Sequence, residues 1–387
     1  MRSAPAAAAV LAWALACAAW ADDVQPKDAG GAKAREAQFE MRGRLSLEAK
    51  PGRPFYKASP PLLVDRGKLL YLGRGAFHGP DLIYLAEVES LEERTLRAPT
   101  PAFAAEHPEL SLAPKIEELL CYDRTDGRAG LVIKDVAQRK TYFLWWDLAK
   151  NRISKALLIG EKGPETRWLA VSPLGYDPAR RECVFQTERN DGAMTSVTSP
   201  GGPYIDSVLA AGGEELRTIA TFEGTYMTSH GPYLDLAHQR AVVTEVTELP
   251  GAKPRGYLVD LSSGGVRPFP IPQDVYSFAF DPNGQMLFAY GVKPRELWAI
   301  NPTTGAAVRR VRVGDIGHGL GFIGDTLVVI GNVRIHLLDK GTLGHKAQIG
   351  SRKIVPGLVN CEHSLVLPGS VVAINNFYDL YVARLNF

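Results

Sequence analysis

The sequence predicts an all-β fold made of one repeated antiparallel unit, and three observations carry this prediction. Sustained helical periodicity is absent, whereas short apolar runs of strand length recur along the chain. The composition includes 38 Gly and 27 Pro among 387 residues, which suits a fold with many turns. The stretch 281–314 contains a complete meander of short strands joined by turns. That stretch is the template against which the rest of the chain is compared.

The template begins with the turn Asp281–Gly284, in which Pro fixes φ at the second position and Gly takes the left-handed one. Met286–Tyr290 is an apolar run too short for a helix and is predicted as a buried strand. Leu297–Ile300 forms the next strand, and Asn301–Gly305 forms a second turn. The alternating residues of Val308–Val313 complete a third strand, so the pattern predicts an antiparallel meander.

The same unit recurs seven times. The equivalent positions of its first strand are Val64, Tyr122, Tyr176, Leu234, Phe280, Phe322 and Val366. Their spacings of roughly 42 to 58 residues are typical of propeller blades. The last unit lacks a fourth strand, and the alternating stretch Phe39–Leu47 lacks a unit, so joining the two closes a ring without open edges. The sequence therefore predicts a seven-bladed β-propeller, against the alternative of two β-sandwiches, whose strands are also regularly spaced.

Residues 1–21 have the features of an export signal. Arg2 gives the positive start, Ala6–Ala16 the apolar segment, and Ala19–Ala21 a small-x-small cleavage site after Ala21. Residues 22–38 are predicted to be a flexible linker and residues 39–387 the propeller. The predicted location is periplasmic or secreted, with a lipoprotein anchored at Cys17 as the alternative. No segment has the length of a transmembrane span.

The overall charge bears on the class of partner, and the cysteine count bears on the presence of disulfides. A formal net charge of +2, from 44 Lys and Arg against 42 Asp and Glu, argues against a nucleic-acid partner. Removal of the signal leaves Cys121, Cys183 and Cys361, an odd number that does not suit a disulfide framework. The three are predicted to be buried thiols. The protein is expected to be a monomer.

The turn Asp281–Gly284, followed by Leu297–Asn301 and Thr304–Gly305, resembles the blade pattern of YVTN-type and quinoprotein amine dehydrogenase-like propellers. Tyr257–Asp260 with Ser263–Gly265 is a weaker copy of it. The resemblance covers the blade rhythm from about Val64 to the C-terminus and implies architecture rather than activity. Such blades serve enzymes, scaffolds and binding proteins alike. The GxSxG, HExxH, CxxC and kinase motifs are absent from the sequence.

A candidate ligand site follows from the predicted ring, because inner strands line its channel. The residues four positions before each aligned position are Pro60, Glu118, Ser172, His230, Tyr276, His318 and Glu362. Convergent imidazole and carboxylate groups at a concave mouth suit a metal site, an acid/base pair or an anion pocket. His230 and His318 are the predicted ligands of a divalent metal, which Glu118 or Glu362 could complete. The alternative is a hydrated channel mouth without a role.

The leading hypothesis is an exported binding module for a protein partner or a small ligand at this mouth, with no catalytic residue assigned. The alternative is a metal- or cofactor-dependent enzyme of the lactonase, lyase or quinoprotein-like kind that uses the channel histidines. A slip of one residue in the alignment would turn these side chains to the other face of their strands.

Other chemically notable residues are predicted to be structural or solvated. For the pair Trp145–Trp146 a place in the core is favoured over an exposed binding patch. Three histidines at turn or outer-strand positions are predicted to be solvated, and the carboxylates that share one position in four blades are predicted to cap turns. The solvated histidines are His238, His336 and His345, and the capping carboxylates are Asp123, Asp177, Asp235 and Asp281. His78 is assigned to a loop, and Gly192–Gly202 to an insertion that serves for recognition or is merely tolerated.

Overall fold

The computed structural model describes residues 35–46, 55–57, 62–65, 68–75, 82–87, 90–91, 93–97, 115–161, 168–190, 204–224, 234–245, 255–293, 295–315, 317–355, 364–375 and 379–387. Within these ranges nearly all regular structure is β-strand. The exceptions are a 3₁₀ turn, Leu236–His238, and one short helix, α1 (Ser351–Ile354). The all-β prediction is confirmed. Among the same residues, no helix has the length and apolar character that crossing a membrane requires.

The described strands assemble into seven sheets, numbered I to VII by the position of their inner strands in the chain. The N-terminal strands are β1 (Arg35–Glu36) and β2 (Gln38–Ser46). Sheet I contains β3 (Phe55–Lys57), β4 (Leu62–Asp65), β5 (Lys68–Gly75), β6 (Leu82–Glu87) and β7 (Glu93–Arg97). Sheet II contains β8 (Lys115–Asp123), β9 (Arg128–Asp135), β10 (Lys140–Asp147), β11 (Arg152–Ile153) and β12 (Leu157–Glu161).

Sheet III contains β13 (Trp168–Asp177), β14 (Glu182–Asn190), β15 (Tyr204–Gly212) and β16 (Glu215–Gly224). Sheet IV contains β17 (Leu234–Asp235), β18 (Arg240–Glu245), β19 (Arg255–Asp260) and β20 (Val266–Pro270). Sheet V, the template meander, contains β21 (Gln273–Phe280), β22 (Leu287–Lys293), β23 (Glu296–Ile300) and β24 (Ala307–Arg312).

Sheet VI contains β25 (Gly317–Ile323), β26 (Thr326–Gly331), β27 (Arg334–Asp339) and β28 (His345–Gly350). Sheet VII contains β29 (Leu365–Leu367), β30 (Val371–Asn375) and β31 (Asp379–Asn386). Consecutive strands within a sheet pair antiparallel. All seven aligned positions of the sequence lie in the inner strands of these sheets, β4, β8, β13, β17, β21, β25 and β29.

The N-terminal segment is shared between the last two sheets. β1 pairs parallel with β28, the outer strand of sheet VI, and the Ala37 N–H donates to Gln348 O at 3.0 Å. β2 pairs antiparallel with β31, so it supplies the fourth strand that sheet VII lacks. Of the predicted linker, 22–38, residues up to 34 lie outside the described ranges and the last ones belong to β1 and β2.

Apolar clusters between neighbouring sheets form the core. Phe143 of sheet II stacks on Phe185 of sheet III at 5.7 Å between ring centroids, and Phe288 of sheet V packs edge-on against Phe322 of sheet VI at 5.5 Å. Further clusters join sheets I and II, sheets III, IV and V, and sheets VI and VII. One cluster also joins sheet VII to sheet I through Leu380. Every sheet is therefore packed against the next one in the series.

Trp145 and Trp146 are both buried, on opposite faces of β10. Trp145 belongs to the cluster between sheets II and III, and Trp146 belongs to the one between sheets I and II. Because successive side chains of a strand point to opposite faces, both faces of this strand must be apolar. The structural assignment is confirmed for both residues.

Cys121 in β8 and Cys183 in β14 form a disulfide, with their Cα atoms 5.8 Å apart. The prediction of buried thiols is therefore wrong for this pair, although both residues are buried. An odd cysteine count does not prevent two of the residues from meeting, and only the packing of sheet II against sheet III brings these two together. Cys361 lies outside the described residues.

Candidate functional site

The two ends of the sheets differ in the connections they carry. One end, here called the turn face, carries the links from first to second and from third to fourth strand of each sheet, such as 123–128 and 260–266. Turns of neighbouring sheets meet there: Arg180 Nη1 donates to Leu261 O at 3.2 Å, and Arg240 Nη2 donates to Gly284 O at 2.7 Å. The opposite end, the loop face, carries the sheet-to-sheet connections and the links from second to third strand.

Carboxylates close the inner turns of the turn face. Asp123, Asp177, Asp235 and Asp281 end their inner strands and are nearly inaccessible to solvent. Asp123 Oδ1 accepts from Thr125 N at 3.0 Å, and each of the other three accepts a backbone N–H of its own turn in the same way. The turn-capping role predicted from the sequence is confirmed for all four.

The network around Asp123 also ties sheet II to sheet III. Arg128 Nε donates to Asp123 Oδ2 at 3.0 Å, and Arg181 of the next sheet pairs with Asp126. Burial acts to raise the pKa of Asp123, but the nearby Tyr176 hydroxyl, the Arg128 guanidinium and the backbone N–H groups of the turn hold it below its usual value. Burial, followed by the adjacent Asp123, raises the pKa of Tyr176 to about 12. These carboxylates are therefore occupied by the protein's own donors.

A second set of turns on the same face joins the third strand of a sheet to the fourth. Asp260 Oδ1 accepts from Ser263 N at 2.7 Å, and Asn301 Oδ1 accepts from Thr303 N at 2.8 Å in the equivalent turn of sheet V. Hydrogen bonds from Ser262 and Ser263 lower the pKa of Asp260 to about 2. At both positions a side-chain oxygen accepts hydrogen bonds from backbone N–H groups of the turn. Either Asp or Asn can supply that oxygen.

Four residues of the sequence-predicted site lie in described inner strands: Glu118 in β8, Ser172 in β13, Tyr276 in β21 and His318 in β25. Pro60, His230 and Glu362 lie outside the described residues, so the metal pair of His230 and His318 stays a prediction. Glu118 is in β8, opposite Val132 of the next strand; Ser172 is in β13, opposite Gln186. Among the described residues, no three His, Cys, Asp or Glu side chains could hold a metal ion together.

Bulges place Tyr276 and His318 at one special backbone position. The register of β21 shifts on either side of Tyr276, and the register of β25 shifts on either side of His318. Each is therefore an extra residue in its strand, with no residue of the neighbouring strand opposite it. Bulges bend a strand and change the direction of a side chain, and they are over-represented next to functional sites. Two adjacent sheets thus carry the same irregularity at a predicted site position.

The bulges also change which predicted positions are equivalent. In β8 the extra residues are Glu117 and Leu120, on either side of Glu118, and in β13 the extra residue is Leu174, so neither Glu118 nor Ser172 is itself the extra residue. Counted along the ladder, the residues of sheets V and VI that correspond to Glu118 and Ser172 are Ser277 and Gly319. Ser277 is buried, and within the described residues its hydroxyl makes no hydrogen bond. Counting residues in the sequence could not locate these bulges.

A buried polar group near the loop face of sheet III was not predicted. Glu188 of β14 lies directly opposite Asp206 of β15, and their exposed fractions are 3% and 0%. Gln186 and Asn190, on the same face of β14, are equally buried. The polar run from Gln186 to Asn190 is typical of an exposed strand end, so the sequence contains no signal for this burial. The insertion Gly192–Gly202 follows directly and lies outside the described residues.

The histidines outside the channel take different environments. His238 on the turn face is half exposed, and its Nδ1 lies 2.9 Å from Asp235 Oδ2. His336 is 3% exposed, between sheets V and VI, with its Nε2 3.8 Å from Asp315 Oδ2, so the prediction of a solvated surface is wrong for it. The apolar neighbours of β27 bury it. His345 is exposed, as predicted, and His78 lies outside the described residues.

Comparison with known proteins identifies the architecture. An oligogalacturonate lyase in complex with manganese superposes with a TM-score of 0.55 at 13% identity, over 91% of this chain and 98% of the other. The Swd1 β-propeller domain of Myceliophteria thermophila gives 0.53 at 9% identity, over 90% and 99%. The KlHsv2 protein with its loop 6CD replaced by a Gly-Ser linker gives 0.50 at 12% identity, over 87% and 98%.

The chain has a β-propeller fold. At these identities the similarity concerns the fold alone, and β-propellers host unrelated functions. No protein-family model and no curated protein matches the sequence. The resemblance to YVTN-type and quinoprotein amine dehydrogenase-like blades therefore stays a resemblance in the blade pattern. Function has to be argued from the sites on this propeller.

Proposed function

We propose that this protein is an exported, seven-bladed β-propeller that acts as a binding module, with its ligand site on the loop face at the mouth of the channel. The ligand is a small molecule or a segment of a protein partner. The contrast between the two faces carries the proposal, because the turn face uses its carboxylates internally while the loop face has bulged inner strands and the longer connections.

Two observations support a closed ring of seven blades. β2 pairs with β31 along its whole length, from Gln38 opposite Asn386 to Ser46 opposite Asp379. The apolar clusters run from each sheet to the next and return from sheet VII to sheet I through Leu69 and Leu380. A closed ring removes sheet edges at the junction and gives the channel walls on all sides.

Export is supported by the disulfide between Cys121 and Cys183. Disulfides form and persist in oxidising compartments and are rare where thiols are kept reduced. The N-terminal sequence of the mature protein tests this part. A start at Asp22 is expected. An uncleaved Met1 in the mature protein would refute export, and a lipid-modified Cys17 would replace cleavage after Ala21 by the lipoprotein alternative.

Matched histidine variants test the position of the ligand site. A panel of metabolites and purified exported proteins is screened by thermal shift, and each hit is then titrated against His318→Ala and His238→Ala. The first variant changes the bulge of β25 on the loop face, and the second removes a histidine from the turn face. The proposal expects the first alone to weaken binding by at least about tenfold. Binding that is lost only in the second variant would place the site on the wrong face.

A metal-dependent enzyme is the second candidate, favoured by the recurrence of histidine at one blade position in His230 and His318. Manganese is a suitable probe because the lyase with a similar fold was solved with that metal. Stoichiometric manganese in the dialysed protein, lost in His230→Ala/His318→Ala and retained in His238→Ala, would favour the enzyme. Purified protein that contains no metal and still binds its ligand would favour the binding module over the enzyme.

A further inference from the structure

The outer strand of sheet V, β24, presents an open edge with a concentration of positive charge. Its sequence places Arg309, Arg310 and Arg312 within one strand, and all three are exposed. Among the described residues, none of the three guanidinium groups has a carboxylate partner within ion-pair distance. By contrast, Arg217 on the outer strand of sheet III is paired with Glu182, with Nε donating to Oε1 at 2.9 Å. The charge of β24 is therefore available to a partner.

Neighbouring sheets protect their outer edges in ways that β24 does not. In sheet IV the outer strand contains Pro268 and Pro270, which lack the N–H that a further strand would need. In sheet VI the outer strand β28 is already covered by β1, which the chain itself adds in parallel. Within the described residues, no strand pairs with the outer edge of β24. In the part of the chain that the structure describes, a fifth strand therefore covers the outer edge of sheet VI and none covers that of sheet V.

The register of β24 shows which of its backbone groups point outward. The N–H of Val313 donates to Arg295 O at 3.1 Å, just beyond the paired strands. Hydrogen-bonded and non-bonded pairs alternate along an antiparallel ladder. The pairs of Arg310 with Trp298 and of Arg312 with Glu296 are therefore non-bonded ones. The N–H and C=O groups of Arg310 and Arg312 consequently face the open edge.

The side chains of the same two residues form a prepared anion-binding surface. The Arg310 guanidinium lies 3.8 Å from the centroid of the Trp298 ring, and the Trp298 Nε1–H donates to Glu296 Oε2 at 2.9 Å. Stacking holds the guanidinium flat and leaves its N–H edge free for a carboxylate. Glu296, opposite Arg312, offsets one positive charge of the three.

We propose that the outer edge of β24 binds an extended acidic peptide segment of a partner protein by strand addition. The peptide backbone pairs with Arg310 and Arg312, and carboxylates at alternate peptide positions lie beside the guanidinium groups on one face of the sheet. Main-chain bonds give affinity in this mode of recognition, while alternate side chains give specificity. This surface is separate from the channel mouth, so it extends the proposed binding function to a second site.

The test uses the full-length mature protein and a fluorescent peptide in which Glu alternates with Val. The protein variant is Arg310→Glu/Arg312→Glu. The matched control is Arg152→Glu/Lys155→Glu, which makes the same charge change at two exposed cations on the outer edge of sheet II. Fluorescence polarisation should give saturable binding that weakens by at least about tenfold in the variant and less than about twofold in the control. A peptide with Lys in place of Glu should not bind.

Backbone methylation separates strand addition from simple charge attraction. N-methylation of alternate peptide residues removes the donors for a ladder and keeps every carboxylate, so it should abolish binding. Hydrogen exchange at the amides of Arg310 and Arg312 should slow when the peptide binds. Equal binding of the methylated peptide, of heparin or of phosphatidylserine vesicles would overturn the proposal in favour of a general polyanion surface. Absence of peptide binding would overturn it outright.

Discussion

The bridge between Cys121 and Cys183 is predicted to supply a large part of the stability of the fold. It closes a loop with a sequence separation of 62, and the chain-entropy relation for a loop of that length gives about 4 kcal/mol. Domains commonly have unfolding free energies of roughly 5–15 kcal/mol, so this loss is a sizeable fraction of the total. Cys121→Ala/Cys183→Ala should therefore unfold at a clearly lower urea concentration than the wild type.

The assay compares urea unfolding of four samples. These are the oxidised wild type, the reduced wild type, the double alanine variant and Cys361→Ala. The reduced wild type and the double variant should both lose about 4 kcal/mol, with a further loss of roughly 1 kcal/mol in the variant for the missing buried sulfur atoms. Cys361→Ala controls for the removal of a cysteine that forms no part of this bridge.

Alkylation of the urea-unfolded protein provides an independent check of the bridge itself. Cys121 and Cys183 should resist iodoacetamide in urea until a reductant is added. Labelling of both without reductant, or equal stability of the oxidised and reduced wild type, would refute the reasoning. The same outcome would remove the support that the disulfide gives to export.

Three further predictions concern single side chains, each measured by urea unfolding. Leu45→Ala, which empties a buried position of β2, should lower the free energy of unfolding by about 3 kcal/mol. Met41→Ala, on the exposed side of the same strand, should lower it by less than about 0.5 kcal/mol. Equal effects would argue against β2 as part of the core. Trp146→Phe should cost about 1 kcal/mol more than Trp145→Phe, because only the first loses an indole hydrogen bond; the reverse order would contradict this. Asp260→Asn should reduce the fall in stability between about pH 4 and about pH 2. The folded pKa of Asp260 is about 2, below its unfolded value of about 3.9, so its carboxylate stabilises the fold above about pH 4 and loses that contribution as the pH falls toward about 2. An unchanged dependence of stability on pH would contradict this prediction.

Local features of the fold could be predicted from the sequence because the relevant interactions lie within a few residues. The turn 281–284 forms as predicted, with the Gly284 N–H donating to Asp281 O at 2.8 Å and Gly284 in the left-handed region at φ +65°. The apolar runs after such turns become second strands, since a chain that reverses there must pair with itself. Repetition of this local pattern was enough to locate all seven inner strands.

Features that depend on which sheets meet could not be predicted in the same way. The pairing of Cys121 with Cys183 and the burial of His336 both arise between neighbouring sheets. The opposition of Glu188 and Asp206 depends on the register across an insertion. Bulges have the same effect on the candidate site, because one extra residue in an inner strand changes which positions correspond between blades. An alignment by counting therefore found the strands but not their registers.

The distribution of charge connects these observations to function. Recruiting Asp123 or Asp235 to a ligand would break hydrogen bonds to backbone N–H groups and to Arg128 or Arg240, and a buried carboxylate stripped of its partners costs several kcal/mol. A ligand that binds the turn face would have to supply that energy before gaining any affinity. At the edge of β24 the backbone groups and guanidinium edges already face outward, so a partner needs only to displace water. Binding on this propeller is therefore expected where the fold does not use its own polar groups, and the charge-reversal variants of β24 test that expectation directly.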